Sequence, residues 1–192
     1  MRDLRDPAQL GALKHLIRER ADVVLQNLRP GQVEQLGLDG PALVAQKPGL
    51  VYCNVGAFGR VGPFKDRPGY DPLMQAFGGI MSTTGERGRP PVRVGASIVD
   101  LGTGMWAVIG ILTALYERRD TRKGGVVDVS LFETAATWMS LLAAHYLASG
   151  DIPGKQGSGA NGIAPYRAYA TRDSDLVVAA ASDGLFRRLA QV

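Results

Sequence analysis

Asp100 is one of the residues of this sequence whose type and position admit chemistry. It follows Gly95-Ala96-Ser97-Ile98-Val99 and precedes Leu101-Gly102-Thr103-Gly104, so it stands where an extended run turns into a long helix. A carboxylate there has two readings. It caps the first helical turn, the commoner role of aspartate at a helix start, or it is a nucleophile whose anion the helix N-terminal amides stabilise. A second group is the polar end of the apolar run from Ala21, where Asn27, Leu28 and Arg29 lead into Pro30-Gly31. A third is Gly157-Ser158-Gly159-Ala160-Asn161-Gly162. Its glycines let backbone amides approach a ligand closely, or they make a plain linker. Cys53 is the only cysteine, which excludes an intrachain disulfide, and its apolar run reads as the site of a buried, inert thiol. His15 and His145 are the only histidines, too few for a metal cluster.

The elements that must position these groups alternate between helix and strand. Pro7 opens a helix with Leu10, Leu13, Leu16 and Ile17 at helical spacing and Arg18 and Arg20 at its end. Residues 21–27 read as a buried parallel strand. Short helices follow over 32–36 and 41–46, then a second buried strand over 50–54. In such α/β layers ligands bind beyond the carboxyl ends of the strands, which points to residues 27–31 and 54–59. Residues 71–79 form a helix and 92–96 an extended segment. The long helix starting near Asp100 stops at Gly124-Gly125, and 126–129 is a strand. Ser130, with Glu133 three residues on, forms a capping box for one helix over 131–149. Residues 150–162 are a loop, 176–181 a last strand, and Ser182 or Asp183 caps a helix that reaches Val192 without a stop signal. Within the long helix, Gly102, Gly104 and Gly110 permit close approach of another backbone or a ligand. The abrupt start and finish lead to the expectation that the chain lacks parts at both ends or is completed by a partner.

Composition fits this layout. The chain has 192 residues, 45% apolar and 21% charged, with 25 glycines and 11 prolines gathered in long loops. The net charge of +4 comes from scattered basic residues with no stripe interleaved with aromatics, so nucleic acid is not an expected partner. The apolar runs around 105–115 and 138–147 are too short to span a bilayer, and the charged first residues have no apolar signal-peptide core.

Two stretches carry a resemblance to a known family. One is Ala21-Asp22-Val23-Val24-Leu25-Gln26-Asn27-Leu28-Arg29-Pro30-Gly31. The other runs from Gly95 through Asp100 to Met105, followed at matching spacing by Arg122-Lys123-Gly124-Gly125-Val126-Val127-Asp128-Val129-Ser130-Leu131. Arg67-Pro68-Gly69-Tyr70-Asp71, the run from Gly78 to Gly85, and Ile163-Ala164-Pro165-Tyr166 fall in the same order. Together they resemble the class III CoA-transferases, the CaiB/BaiF superfamily that includes formyl-CoA transferases. The resemblance covers nearly the whole chain but only the middle of the longer family enzyme.

It implies an α/β fold: a partial Rossmann-like parallel sheet layer plus long central helices and loops. Residues 1–60 would belong to the large CoA-binding domain. Residues 61–150 would continue it and carry the nucleophile helix. Residues 151–192 would hold the glycine loop and begin the linker to a small domain. Asp100 would be the catalytic nucleophile, and Asn27, Leu28, Arg29, Tyr70 and Asp71 would bind CoA or substrate. Gly157, Gly159 and Gly162 would form a mobile loop over the site.

The implied substrates are coenzyme A thioesters and carboxylic acids, with no permanently bound cofactor and no metal. The implied assembly is an interlocked homodimer, while the charge pattern, the short apolar runs and the first residues lead to the expectation of a cytoplasmic protein without nucleic-acid or membrane partners. Related α-methylacyl-CoA racemases place a histidine before the aspartate where this chain has Tyr70. A phenol whose ordinary pKa is about 10 is a poor base, so transfer is favoured over racemisation. An inactive, truncated chain that at most binds CoA weakly or associates with a full-length subunit is the remaining reading.

Overall fold

A computed structural model describes residues 3–191. The chain packs as two compact units, one of residues 1–78 and 96–138, the other of residues 79–95 and 139–192.

The first unit is built on a parallel sheet of β1 (Val23–Gln26), β2 (Val51–Gly56) and β3 (Gly125–Ser130), in that spatial order. The register pairs Val24 with Tyr52 and Tyr52 with Val126, then Gln26 with Asn54 and Asn54 with Asp128. Side chains two apart share a face, so these two rows lie on one side of the sheet. On that side α1 (Pro7–Arg20), α2 (Gln32–Leu36) and α3 (Gly40–Gln46) bury Ile17, Val33 and Leu43 with Leu50 and Tyr52. Leu10 and Leu13 pack against this cluster, whereas Leu16, part of the same expected stripe, is half exposed. Asp6 caps α1 by accepting the Ala8 N–H, with Pro7 at the first helical position as the sequence requires. The Tyr52 hydroxyl donates to the Leu38 carbonyl at 2.6 Å, and burial pushes the phenol up to about 12.

The opposite face is covered by α6 (Ile98–Thr121), joined by α4 (Asp71–Phe77) and α7 (Leu131–Trp138). The glycines of α6 divide by role. A Cβ on Gly110 would fall 2.6 Å from Val127 of β3, and one on Gly102 would fall 2.7 Å from the Trp138 ring. These two exist for close packing. Gly104 meets nothing within 4 Å. With 24 residues, α6 is long and apolar enough by length and composition to cross a membrane, unlike the shorter stretch read from sequence. Here one side of it lies on the sheet. The other leaves Leu101, Leu112 and Tyr116 60–70% exposed.

The single helix expected over 131–149 is two. α7 ends at Trp138 and α8 (Ser140–Ser149) starts after the non-helical Met139. The Trp138 indole N–H donates to the Ile98 carbonyl, which anchors the end of α7 on α6. The capping box also differs from the expected reciprocal form. The Ser130 hydroxyl accepts the Glu133 N–H at 3.1 Å, but it donates its own proton to the Glu133 carboxylate at 2.7 Å.

The second unit holds α5 (Ile80–Thr83), α8, an antiparallel pair β4 (Tyr166–Ala170) and β5 (Asp175–Ala179), and α9 (Asp183–Leu189) capped by Ser182. β4 was not evident in the sequence, because Tyr-Arg-Ala-Tyr-Ala lacks apolar–polar alternation. It exists as the partner of β5 across a turn in which Thr171 and Ser174 exchange hydrogen bonds. The expected extended segment at 92–96 finds no strand partner. Val192, the expected end of the last helix, lies outside the described residues.

Candidate active site

The first unit contains a cleft of about 980 Å³ at the carboxyl ends of its parallel strands. This is where an α/β layer binds ligands, because strands end there and loops diverge. Asn27, Leu28, Arg29, Tyr70 and Asp100 all line it, so one surface collects five of the residues singled out from the sequence.

The floor is polar. Gln26, Asn54 and Asp128, at one register position on three strands, join side chain to side chain. The Gln26 amide donates to Asn54 Oδ1 at 2.7 Å, and the Asn54 amide donates to Asp128 Oδ1 at 2.6 Å. Gln26 Oε1 in turn accepts the Leu28 N–H at 2.7 Å. Sequence reasoning missed this row, although each apolar strand run carries a polar residue near its end, which is the available signal.

The turn of Asn27, Leu28 and Arg29 leaves β1 at the cleft. Gln32 accepts the Arg29 N–H at 3.2 Å. Among the described residues no hydrogen bond or ion pair engages the Arg29 guanidinium or the Lys65 ammonium, and both line the cleft. Arg60, a third cation there, pairs with Glu34 at 3.5 Å. The wall bearing Lys65, Asp66 and Tyr70 is pinned by four phenylalanines. Phe58, Phe64, Phe77 and Phe132 stack with ring centroids 5.3 to 6.1 Å apart.

Asp100 lies in the first turn of α6, three residues past the N-cap position of Ser97. Its side chain is solvent-accessible on the cleft wall. The sequence reading gave the helix amides to Asp100. In the structure they belong to Asp71. Asp71 Oδ2 accepts the Val99 N–H at 2.8 Å and the Asp100 N–H at 3.3 Å, and Oδ1 accepts the Gln75 amide at 2.6 Å. Asp71 is 1% exposed, and Ser97 makes no side-chain cap. A buried carboxylate from α4 therefore caps the helix that carries Asp100. Asp71 serves Asp100 from beneath and does not line the cleft. Partial burial, and then the charge of Asp71, hold the Asp100 carboxyl above the ordinary carboxylate range. Nucleophilicity rises with basicity, so this shift favours attack wherever Asp100 is ionised.

The glycine loop belongs to the second unit, where it folds into turns. Gly157 and Gly162 have positive φ (59° and 73°), the Gly157 N–H donates to the Gly85 carbonyl, and the Gly159 N–H to the Gln156 carbonyl. Ser158 Oγ accepts the Ala168 N–H at 3.0 Å. Cys53 is fully buried on β2, where burial first and Asp128 second push its thiol up. Among the described residues no histidine lines the cleft, and no cluster of three potential metal ligands occurs.

The first unit is a parallel α/β layer whose cleft at the strand ends is lined by the unpaired Arg29 and Lys65 and by a carboxylate on a helix start, an arrangement suited to an anionic ligand beside a nucleophile. The comparisons narrow that reading. Residues 2–192 match CoA-transferase family III, and the chain belongs to that family.

It is 37% identical over 190 residues to a succinyl-CoA–D-citramalate CoA-transferase of Chloroflexus aurantiacus, covering 98% of this chain and 47% of that protein. It is 34% identical to a succinate–glutarate CoA-transferase of Agrobacterium fabrum, covering 99% and 47%. A CaiB/BaiF family protein from Brucella suis superposes with a TM-score of 0.88 at 37% identity, over 99% of this chain and 50% of that one. The chain thus spans about half the length of the relatives it matches.

Proposed function

We propose that the full-length protein is a CoA-transferase that moves coenzyme A between two carboxylic acids, with Asp100 carrying the covalent intermediates. The observation that carries this reading is the position of Asp100 on the wall of a cleft whose rim holds the unpaired Arg29 and Lys65. The cations suit the phosphates of CoA. The relatives named for succinyl-CoA, citramalate, succinate and glutarate favour dicarboxylates as donor and acceptor.

A carboxylate oxygen of Asp100 attacks the thioester carbonyl carbon. The C–S bond breaks, CoA thiolate leaves, and a mixed anhydride remains on Asp100. The thiolate then attacks the aspartyl carbonyl and expels the first acid as its carboxylate, which leaves an aspartyl-CoA thioester. The acceptor carboxylate attacks that carbonyl, thiolate leaves again, and a second anhydride forms. Thiolate attack on the new acyl carbonyl releases the product thioester and restores Asp100. No net proton is exchanged, so the site needs a nucleophile and water exclusion rather than an acid–base pair. Tyr70, at the cleft and without a hydrogen bond to its phenol among the described residues, suits an acceptor carboxylate as donor. A cytoplasmic setting and a homodimer complete the proposal. The homodimer draws support from the exposed apolar side of α6.

In the full-length protein, Asp100→Ala should abolish exchange between an acyl-CoA and a free acid while CoA still binds. Borohydride added during turnover should reduce an aspartyl thioester to the alcohol, a change that peptide mass spectrometry would locate at residue 100. Transfer retained in Asp100→Ala, or reduction at another residue, would refute the assignment.

A further inference from the structure

The polar row on the cleft floor has a direction, and its chemistry dictates which one. An ionised aspartate accepts hydrogen bonds and donates none. Asn54 is buried with its amide against Asp128, so it must turn its nitrogen toward Asp128 and its oxygen toward Gln26. Gln26 must then turn its nitrogen toward Asn54, which aims its remaining oxygen at the N–H of Leu28. Every link follows from the acceptor at the far end. A buried amide with its polarity reversed would set like groups against each other, at a cost comparable to an unsatisfied buried polar group.

We propose that Gln26, Asn54 and Asp128 form a one-way hydrogen-bond relay across the sheet that fixes the Leu28 peptide and so presents Asn27 and Arg29 to the ligand. Asp128 is the positioning residue that sets its direction. This rests on the reading of the cleft as a CoA thioester site. The relay spans the unit from the exposed edge strand β3 to the opposite edge strand β1. Its end product is a backbone donor tied off within the protein, so that the turn shows the cleft its side chains in one orientation. A turn held in advance spares the ligand the ordering entropy on binding. The relay therefore acts on ligand affinity and leaves the bond-breaking steps at Asp100 alone.

The test is CoA titration and transfer kinetics of the full-length protein with Asp128→Ala, Asp128→Asn and Gln26→Leu. Asp128→Ala and Gln26→Leu should each weaken CoA binding and raise the acyl-CoA KM by about tenfold, the scale of one lost hydrogen bond. In both, kcat should fall by no more than about threefold. The Leu28 amide should also exchange its hydrogen faster in both. Asp128→Asn keeps an acceptor oxygen and should recover most of the lost affinity. Unchanged CoA affinity in Asp128→Ala and Gln26→Leu, or a loss confined to kcat, would overturn the relay. A wild-type protein that binds no CoA would overturn the thioester reading itself, and the relay with it.

Discussion

Two aspartates with different duties define the site at the scale of residues. Asp71 spends both oxygens on Val99, Asp100 and Gln75 inside the protein, and Asp100 keeps its carboxylate for the cleft. Asp71→Asn preserves an acceptor for the α6 amides but removes the charge that helps raise Asp100. In the full-length enzyme the acid limb of the kcat/KM profile should therefore move to lower pH. An acid limb that stays put would show that the charge does not reach Asp100. The stability consequence has the opposite sense from that of a salt-bridged aspartate. The raised Asp100 carboxyl stabilises the fold fully only below its unfolded value near 3.8, and that contribution is lost as pH rises through the folded value. Asp100→Asn should thus melt no lower than wild type at pH 7, with the difference closing on acidification. A lower Tm at pH 7 would contradict this.

Elements are held by contacts that spacing alone does not specify. Gly102 lets α7 lie against α6, where an added methyl would meet Trp138 at 2.7 Å and Thr134 at 2.8 Å. Gly102→Ala should cost roughly 1–3 kcal/mol, the range for overpacking, readable by chemical denaturation. The phenylalanine cluster holds the loop bearing Lys65 and Tyr70, and Phe77 touches all three other rings. Phe77 is half exposed, so Phe77→Ala should cost about 1–2 kcal/mol, less than for a buried ring. It should also raise the acyl-CoA KM by loosening the cleft wall. An unchanged KM would separate the cluster from ligand binding.

For the whole molecule, the exposed side of α6 is the observation behind the proposed homodimer. Leu101, Leu112 and Tyr116 present an apolar stripe that an isolated surface rarely carries. The full-length protein should have a dimer's mass by light scattering, and Leu112→Glu should shift it toward monomer. A monomeric wild type would remove the homodimer from the proposal. The division into units also belongs to this scale. Residues 79–95 pack with 139–192, although the long helix α6 separates them in sequence.

The sequence by itself determined what local physics and ordered motifs can carry. Pro7 and the leucine spacing specified α1, the apolar runs specified β1 and β2, and the ordered motifs named the family, whereas α6 stops at Thr121 on a left-handed Arg122, short of the Gly124-Gly125 stop expected for it. The sequence also marked Asn27, Leu28, Arg29, Tyr70 and Asp100, which the fold then gathered around one cleft. Only tertiary structure decided that Asp71 caps α6 and that Gln26, Asn54 and Asp128 meet. The same holds for β4 as a strand and for the break of the 131–149 helix at Met139. The Asp71 cap and the Gln26, Asn54 and Asp128 row are contacts between residues far apart along the chain, and β4 is a strand only through its pairing with β5 across a turn. Hydrogen bonds and ring packing depend on distance in space, and neither propensity nor periodicity encodes which distant residue will arrive.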